Sequence, residues 1–298
     1  MLLHISSPTI EQIIAFHRMH PDKPLNVLLT YAKQQHFNDF QVLHRNKMCS
    51  LILDSGAYTL NKSEWARRPK NLLKEYAVFA GYTTQFYDFI FNLDENFSMR
   101  GYEENMLNQF DLENAGLDPV PVVHNLFNGE IERLIALDYD VIAIGQCEHG
   151  RNFKQLNSAV TRIHEADRKV HLFGVSELEI LQELPVWSCD SSSWAQYVQY
   201  GQVMWWNDAN KDWSPWDVLY FPKKQDEHDP TKGKNYFSYA FKDDFDAYIW
   251  ENLNLTIDDL LGERRVLNRA LVNILFYKEM ETLVAAYHRD VKGFIFPG

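Results

Sequence analysis

The sequence has no long apolar run, and its cysteines are few and scattered. No stretch approaches the roughly 20 apolar residues that a membrane-spanning helix requires, so we expect no membrane partner. The first residues lack the basic and apolar regions of a secretory signal. Cys49, Cys147 and Cys189 form neither a CxxC pair nor a zinc-binding spacing. These absences favour a cytoplasmic protein with reduced thiols, and we expect no metal and no cofactor.

Positive charge is also scarce. The 298 residues include 29 Lys and Arg against 41 Asp and Glu, which gives a formal net charge of -12. Binding to phosphates needs local positive charge, so this balance argues mildly against a nucleic-acid partner. It does not exclude one, because the distribution of charge matters more than its sum. A hydrophobic fraction of 46% indicates a globular chain that can bury one large core or two smaller ones.

Apolar runs of strand length alternate with amphipathic stretches along most of the chain. We predict helices between the strands and take the strands to be 25–30, 50–54, 88–93, 120–124, 141–145, 170–174, 186–190 and 202–206. Runs without strict alternation suit a parallel sheet that is covered on both faces. Eight such units predict an α/β fold, a (β/α)8 TIM barrel. An open doubly wound sheet is the alternative, but no GxGxxG or P-loop string follows the first strand.

Composition divides the chain into three predicted parts. Residues 1–206 would form the barrel core. Residues 207–242 are polar and aromatic with basic patches and prolines, which predicts a loop insertion available for nucleic-acid contact. Residues 243–298 would form C-terminal helices that pack on the barrel, with no zinc subdomain.

Carboxylates follow several of the predicted strands. Asp54, Asp94 and Asp190 come at or just after strand ends, which line the active site of a parallel barrel. Carboxylates crowded on one rim raise the pKa of at least one of them, as a nucleophile beside a proton donor requires. Each aspartate alone could equally cap a turn or a helix. His124, at another strand end, is as plausible in the core as in a site.

Five strand-end strings also occur in the order found in one known family. DSGAY (54–58), PVVHN (121–125), IAIGQ (142–146), HLFGV (171–175) and WSCDS (187–191) resemble the DSGGF, GIVQGG, ALGGL, YLMGVG and FDCVMPTR elements of the tRNA-guanine transglycosylases. The resemblance covers roughly residues 50 to 206, and each string by itself is weak.

This resemblance implies a base-exchange reaction through a covalent aspartyl-glycosyl intermediate. Asp190 matches the nucleophile that attacks C1′ of the sugar, and Asp54 matches the aspartate that moves protons on the two bases. Asp94 matches the aspartate that binds the guanine edge, and His124 falls near the glutamine that reads the base. The implied base-binding set is completed by Ser55, Tyr58, Gly145, Gln146 and Gly174.

The departures from the family favour one of its branches. The CxCxxC…H zinc site of the family is missing from the sequence, and Ser-Ser-Ser-Trp follows Asp190 instead of the family's Pro-Thr-Arg. This compact form resembles the phage and genomic-island branch, which inserts 7-deazaguanines into DNA. We therefore expect nucleic acid, DNA rather than tRNA, and a free 7-deazaguanine base such as preQ0 as partners.

Other readings of the sequence remain open. They are a tRNA-guanine transglycosylase, an N-glycoside hydrolase of nucleosides and a non-catalytic accessory subunit, and a homodimer is left open as well. Basic residues predicted to contact nucleic acid, which would otherwise be solvated helix faces, are Arg67, Arg68, Lys223, Lys224, Arg264 and Arg265.

Overall fold

The structure, a computed structural model, describes residues 1–32, 36–62, 71–98, 100–148, 150–209, 215–222 and 229–296. The strands are β1 (Leu2–Ser6), β2 (Leu25–Thr30), β3 (Met48–Asp54), β4 (Phe89–Phe91), β5 (Pro119–Val120), β6 (Val122–Val123), β7 (Val141–Ile144), β8 (Lys169–Leu172), β9 (Ser188–Ser191), β10 (Gln202–Trp206), β11 (Trp216–Tyr220) and β12 (Lys234–Asn235). The α-helices are α1 (Ile10–Met19), α2 (Ala57–Lys62), α3 (Leu72–Thr83), α4 (Tyr102–Asn114), α5 (Glu130–Ala136), α6 (Phe153–Glu165), α7 (Leu178–Glu183), α8 (Ser193–Gln199), α9 (Lys242–Leu253), α10 (Ile257–Leu261) and α11 (Arg265–Tyr287).

The first nine strands form one parallel sheet in the order β5-β4-β3-β2-β1-β9-β8-β7-β6. Its edge segments β5 and β6 are halves of one run, separated by Pro121, which has no N–H to donate to the ladder. The Pro121 carbonyl still accepts a hydrogen bond of 3.0 Å from the Ala143 N–H. The two edges are therefore the same strand, and the sheet closes on itself. The predicted (β/α)8 barrel is confirmed.

One barrel strand differs from the predicted set. Residues 202–206 form β10, which pairs antiparallel with β11 in a separate three-stranded sheet. Its expected barrel position is held by β1, which pairs in parallel with β2 on one side and β9 on the other. The assignment of 202–206 to the barrel was wrong because an apolar run indicates a strand without indicating its neighbours. Asp190 consequently lies on the eighth barrel strand and not on the seventh.

Helices such as α6 begin at capping residues and bury apolar residues that recur at helical spacing, and both features can be read from the local sequence. In α6 a capping box opens the helix, since the Gln155 N–H donates to Asn152 Oδ1 and the Asn152 N–H donates to Gln155 Oε1, each at 3.0 Å. Leu156, Val160 and Ile163 recur at helical spacing and are buried. Helices also lie between the other predicted barrel strands, as expected, wherever the chain is described.

Alternation along the strands decides which side chains fill the barrel. An apolar cluster inside it is contributed by successive strands and contains Leu28, Ile52, Phe91, Val120, Val122 and Ala143. Full burial of each of the larger side chains, which are valine, leucine, isoleucine and phenylalanine, stabilises the fold by about 1.5–3 kcal/mol. Because strand side chains alternate between faces, residues two positions further along also point inward, toward the carboxyl-end mouth. This places Asp54 above Ile52, His124 above Val122 and Gly145 above Ala143.

The chain divides into two compact units. The first comprises Met1–Pro8, Leu25–Ser191 and Leu283–Gly298 and contains the barrel sheet. The second comprises Thr9–Pro24 and Ser192–Thr282, so the barrel strands end at Ser191 and not at residue 206.

The described part of 207–242 contains β11 and β12 and is not a loop alone. The packing of 243–298 on the barrel stays a prediction. Among the helices in the described ranges, none is both long and apolar enough to cross a membrane.

A buried amide organises the second unit. Asn273 of α11 is fully buried; its Oδ1 accepts from the Met204 N–H at 2.8 Å, and its Nδ2 donates to the carbonyls of Trp194 at 3.0 Å and Gln202 at 3.3 Å. One side chain therefore satisfies buried backbone groups from α8 and β10.

Replacing Asn273 by alanine should destabilise this unit strongly. Asn273→Ala leaves a buried N–H without its acceptor, and we expect a loss of about 3 kcal/mol in the free energy of unfolding measured in urea. Gln199→Ala, at an exposed position of α8, should change that free energy by less than about 0.5 kcal/mol. Equal effects of the two substitutions would contradict the role of Asn273.

Candidate active site

The candidate site lies in the first unit, where the barrel strands end. Asp54 closes β3, Asp190 lies in β9, and Asp94 follows β4 by three residues. The charges of Asp94 and Asp190 both act on Asp54. The structure therefore brings together the three aspartates that the sequence placed on one rim.

Hydrogen-bond donors surround the Asp190 carboxylate. Ser6 Oγ donates to Oδ2 at 2.6 Å, and the Gly174 N–H donates to Oδ1 at 3.0 Å. His171 Nε2 lies 3.6 Å from Oδ1. Burial acts to raise the pKa of Asp190, but His171, Ser6 and Gly174 outweigh it and hold that pKa below its usual value. Asp190 is therefore an ionised carboxylate near neutral pH.

Asp54 has the opposite character. Burial, together with the charges of Asp94 and Asp190, raises the pKa of Asp54 to about 7, although hydrogen bonds from the Gly56 N–H and Thr30 act to lower it. Gly56 has φ +90°, and a Cβ there would lie 2.5 Å from the Ala32 Cβ. Glycine is therefore required for the tight turn that aims this N–H at Asp54. At neutral pH Asp54 can both hold and release a proton.

Asp94 forms a buried pair with His124. His124 Nε2 lies 2.6 Å from Asp94 Oδ2, and Nδ1 lies 2.6 Å from the Gln146 carbonyl oxygen, to which it must donate. Burial lowers the pKa of His124, but the hydrogen bond and the charge of Asp94 outweigh it, and the pKa is raised overall. The imidazole of His124 is therefore the buried partner of the Asp94 carboxylate.

Helix starts hold the two loops that carry this pair. The Glu130 carboxylate accepts from the N–H groups of His124 at 2.9 Å and Asn125 at 3.0 Å, which fixes the end of β6. Asn105 of α4 accepts from the Asn96 N–H and donates to the Asn96 carbonyl, at 3.0 and 2.8 Å. The loop after β4 is therefore pinned next to Asp94 by a helix side chain.

Aromatic rings form one wall of the site. The Phe97 ring stacks on His124 with ring centroids 4.6 Å apart and an interplanar angle of 25°. The Tyr58 ring lies 6.5 Å from the Phe97 ring, centroid to centroid, with an interplanar angle of 23°, and Tyr58 is 46% exposed. The nearly parallel rings make this wall suited to a planar ligand.

The other residues predicted to bind the base differ in burial and in the atoms that they direct to the site. Ser55 is fully buried and its hydroxyl donates to the Asn92 carbonyl at 2.9 Å, so its side chain supports the turn. Gln146 and Gly174 are exposed, and their described contacts to the site are made by backbone atoms. Gly145 sits beneath the His124 ring.

The predicted basic residues are not brought to this site by any described contact. Arg67, Arg68, Lys223 and Lys224 lie outside the described residues. Arg264 and Arg265 belong to the second unit, where Arg264 pairs with Glu11 at 2.7 Å and Arg265 donates to the Gly262 carbonyl at 3.3 Å. Their contact with nucleic acid stays a prediction.

Sequence reasoning missed several residues of the site. His171 and Ser6 reach Asp190, Phe97 covers His124, and Glu130 holds the following loop. The sequence analysis included His171 only as the first residue of the HLFGV string and gave it no role. Ser6 carried no usable signal, because the strand that positions it was not predicted.

Comparisons with known proteins do not identify a family for this chain. No protein-family model matches the chain, and no curated protein matches it. Among solved structures, the crystal structure of a muconate cycloisomerase from Azorhizobium caulinodans is similar to this chain, with 12% sequence identity and a TM-score of 0.39. The match covers 64% of this chain and 54% of that chain, so this chain spans about half the length of the structure that it matches. A similarity this weak carries no argument about activity.

The absence of a side chain at Gly145 leaves room for the His124 ring, and this role can be tested. A Cβ at Gly145 would lie 2.7 Å from His124 Cε1 and 2.8 Å from Val122 Cγ1. Gly145→Ala should displace the imidazole, lower the pKa of His124 toward its usual value in an NMR titration, and cost about 1–3 kcal/mol of stability. Gly81→Ala, in α3 with nothing within 4 Å, should instead stabilise by up to about 1 kcal/mol. An unchanged His124 titration in Gly145→Ala would contradict this role.

The raised pKa of Asp54 predicts a pH-dependent cost in stability. Between the unfolded value near 4 and the folded value of about 7, the native state binds more protons than the unfolded state, so this contribution falls as pH rises. Asp54→Asn should therefore leave the free energy of unfolding nearly unchanged at about pH 4 and increase it by on the order of 2 kcal/mol at about pH 8. Asp140→Asn, whose carboxylate is 71% exposed before β7, should show no such trend in the same denaturant titrations.

Proposed function

We propose that this protein is a base-exchange transglycosylase that replaces guanine in nucleic acid by a 7-deazaguanine. The observation that carries the proposal is the contrast between two aspartates at one barrel mouth. Asp190 is held ionised by its donors, whereas the pKa of Asp54 is raised to about 7. Two carboxyl groups whose environments separate their pKa values are the arrangement that a nucleophile and a proton carrier require.

Asp190 supplies the nucleophile. A carboxylate that is ionised before substrate binds can stabilise the positive charge that develops at C1′ and then form the ester bond to it. In this step the O–C1′ bond forms and the bond from C1′ to guanine N9 breaks. Ser6 and the Gly174 N–H each hold one carboxylate oxygen, which limits rotation of the attacking group.

Asp54 moves the proton in both half-reactions. Its carboxylic acid form gives a proton to the departing guanine, whose anion would otherwise be a poor leaving group. The resulting carboxylate then takes the N9 proton of the incoming 7-deazaguanine, whose N9 attacks C1′ and releases Asp190. Over the whole exchange one C1′–N9 bond is broken and one is formed, and Asp54 regains the proton that it gave. A pKa of about 7 for Asp54 suits both the donation and the uptake of that proton.

The base would be held by Asp94 and the aromatic wall. Asp94 Oδ2 is committed to His124, which leaves Oδ1 to accept from an N–H of the guanine edge. The Tyr58 and Phe97 centroids are 6.5 Å apart. The two rings are within 23° of parallel, and we propose that they stack against the planar base.

The acceptor is proposed to be DNA. Support comes from the resemblance to the zinc-free branch of the transglycosylases and from the missing CxCxxC…H string. A guanine within a duplex would have to leave its stack to reach a barrel mouth, at a cost of a few kcal/mol. The basic residues predicted above would offset part of that cost through phosphate contacts.

The decisive experiment follows incorporation of radiolabelled preQ0 into guanine-containing DNA, with tRNA as a parallel acceptor. Asp190→Asn should abolish both incorporation and the covalent protein–DNA adduct. Asp54→Asn should reduce incorporation at least about 100-fold, the size expected for loss of general acid–base catalysis. Asp140→Asn, which alters an exposed carboxylate at the other end of the barrel, should retain wild-type incorporation.

Each other outcome has a definite meaning. Incorporation by Asp190→Asn at the wild-type rate would eliminate the assigned nucleophile. Release of guanine without uptake of preQ0 would identify a hydrolase, in which water resolves the intermediate. Uptake into tRNA alone would overturn the assignment of DNA. Absence of turnover with every acceptor would identify a non-catalytic protein.

A further inference from the structure

His171 is a buried histidine directly beneath Asp190. It lies in β8, is fully buried, and packs against the rings of Phe91 and Phe173, each with centroids 4.7 Å away. Its Nδ1 lies 2.8 Å from the hydroxyl of Ser188, which is two residues before Asp190 on the same face of β9. Such a ring would ordinarily be a core residue whose polar atoms are all satisfied.

One polar atom of this ring is not satisfied. Nε2 has no hydrogen-bond partner among the described residues, and the atom that it faces is Asp190 Oδ1, at 3.6 Å. That distance exceeds a hydrogen bond by a few tenths of an ångström. A small rotation of the carboxylate would close it. An unpartnered nitrogen in the core is costly, so its orientation toward the nucleophile calls for an explanation.

The tautomer of His171 follows from its neighbours. Burial lowers the pKa of His171, so the ring is neutral near pH 7 and carries one N–H. A bare Nε2 would turn a lone pair toward the ionised Asp190, which is repulsive, so the proton resides on Nε2. Nδ1 then accepts from the Ser188 hydroxyl, and Ser188 fixes the tautomer.

We propose that His171 is a positioning residue, which directs an Nε2–H at Asp190 Oδ1 and holds the carboxylate ready to attack. The catalytic part of this inference rests on the proposed function. The N–H approaches the carboxylate as negative charge returns to it, when the glycosyl ester breaks in the second half-reaction. Ser188 acts one step further away by keeping the proton on Nε2.

Other described groups also act on Asp190 or on its neighbours. Ser6 from β1 and the Gly174 N–H donate to it, and Asp54 from β3 adds a negative charge across the mouth. His4 is another fully buried histidine of the barrel, but its Nε2 lies 3.0 Å from Ser50 Oγ and its Nδ1 faces the Cys189 carbonyl at 3.2 Å. His4 therefore provides a matched control.

The test titrates the Asp190 carboxyl carbon by NMR in protein labelled at aspartate, with the signal assigned by its loss in Asp190→Asn. His171→Phe, combined with Ser188→Ala so that no hydroxyl is left unpaired, should raise the pKa of Asp190 by about one unit. His171→Gln, which keeps an N–H near the Nε2 position, should restore at least half of that shift. Ser188→Ala alone should give a smaller shift than the double variant. His4→Phe should shift the pKa of Asp190 by much less than the double variant does, because His4 does not face the carboxylate.

Thermal unfolding identifies the variants that remain folded, and Ser188→Ala serves as the milder probe if the double variant does not fold. In single-turnover base exchange, the acidic limb of the pH profile should move up with the pKa of Asp190, while the half-saturating DNA concentration stays constant. A folded double variant with an unchanged Asp190 titration would overturn the inference, as would a glutamine variant no better than phenylalanine. Absence of base exchange in the wild-type protein would count against the proposed function alone, because the titration requires no turnover.

Discussion

Three carboxyl groups that repel one another at one barrel mouth set the requirements for the rest of the site. Each repulsion is relieved by a different physical means. Asp190 keeps its charge because N–H and O–H donors surround it. Asp94 pairs with the buried imidazole of His124. Asp54 has neither kind of partner in sufficient strength, so the pKa rises to about 7 and the group titrates near neutrality.

The barrel interior supports this arrangement from below. Polar side chains also occur at and above the level of the apolar layer that includes Ile52 and Val122, and they form pairs that cross from strand to strand. His171 contacts Ser188 and faces Asp190, and His124 joins Asp94 to the end of β7. Buried polar groups of this kind cost stability unless they are satisfied. Their placement beneath the carboxylates indicates that the interior orients the site as well as filling space.

The limits of sequence reasoning are clearest in the barrel closure. Runs of β-branched and apolar residues predicted nearly every strand, and 25–30 and 202–206 were placed at their observed bounds. Both runs look alike locally, yet one lies in the barrel and the other in an antiparallel sheet. Leu2–Ser6 was not among the predicted strands, and His4 and Ser6 interrupt its apolar character. Inside the barrel those two polar residues find partners in Ser50 and Asp190, so the strand is acceptable there.

The sequence by itself determined the α/β alternation, the helix starts and the identity of the three acidic residues at strand ends, because these depend on periodicity and on neighbours along the chain. Only the tertiary structure decided the protonation of Asp54 and Asp190 and the pairing of Asp94 with His124. Those properties depend on burial and on atoms far apart in sequence: Ser6 and Asp190, whose side chains meet at 2.6 Å, are separated by 184 positions. A pKa is set by that three-dimensional environment, which no local pattern encodes.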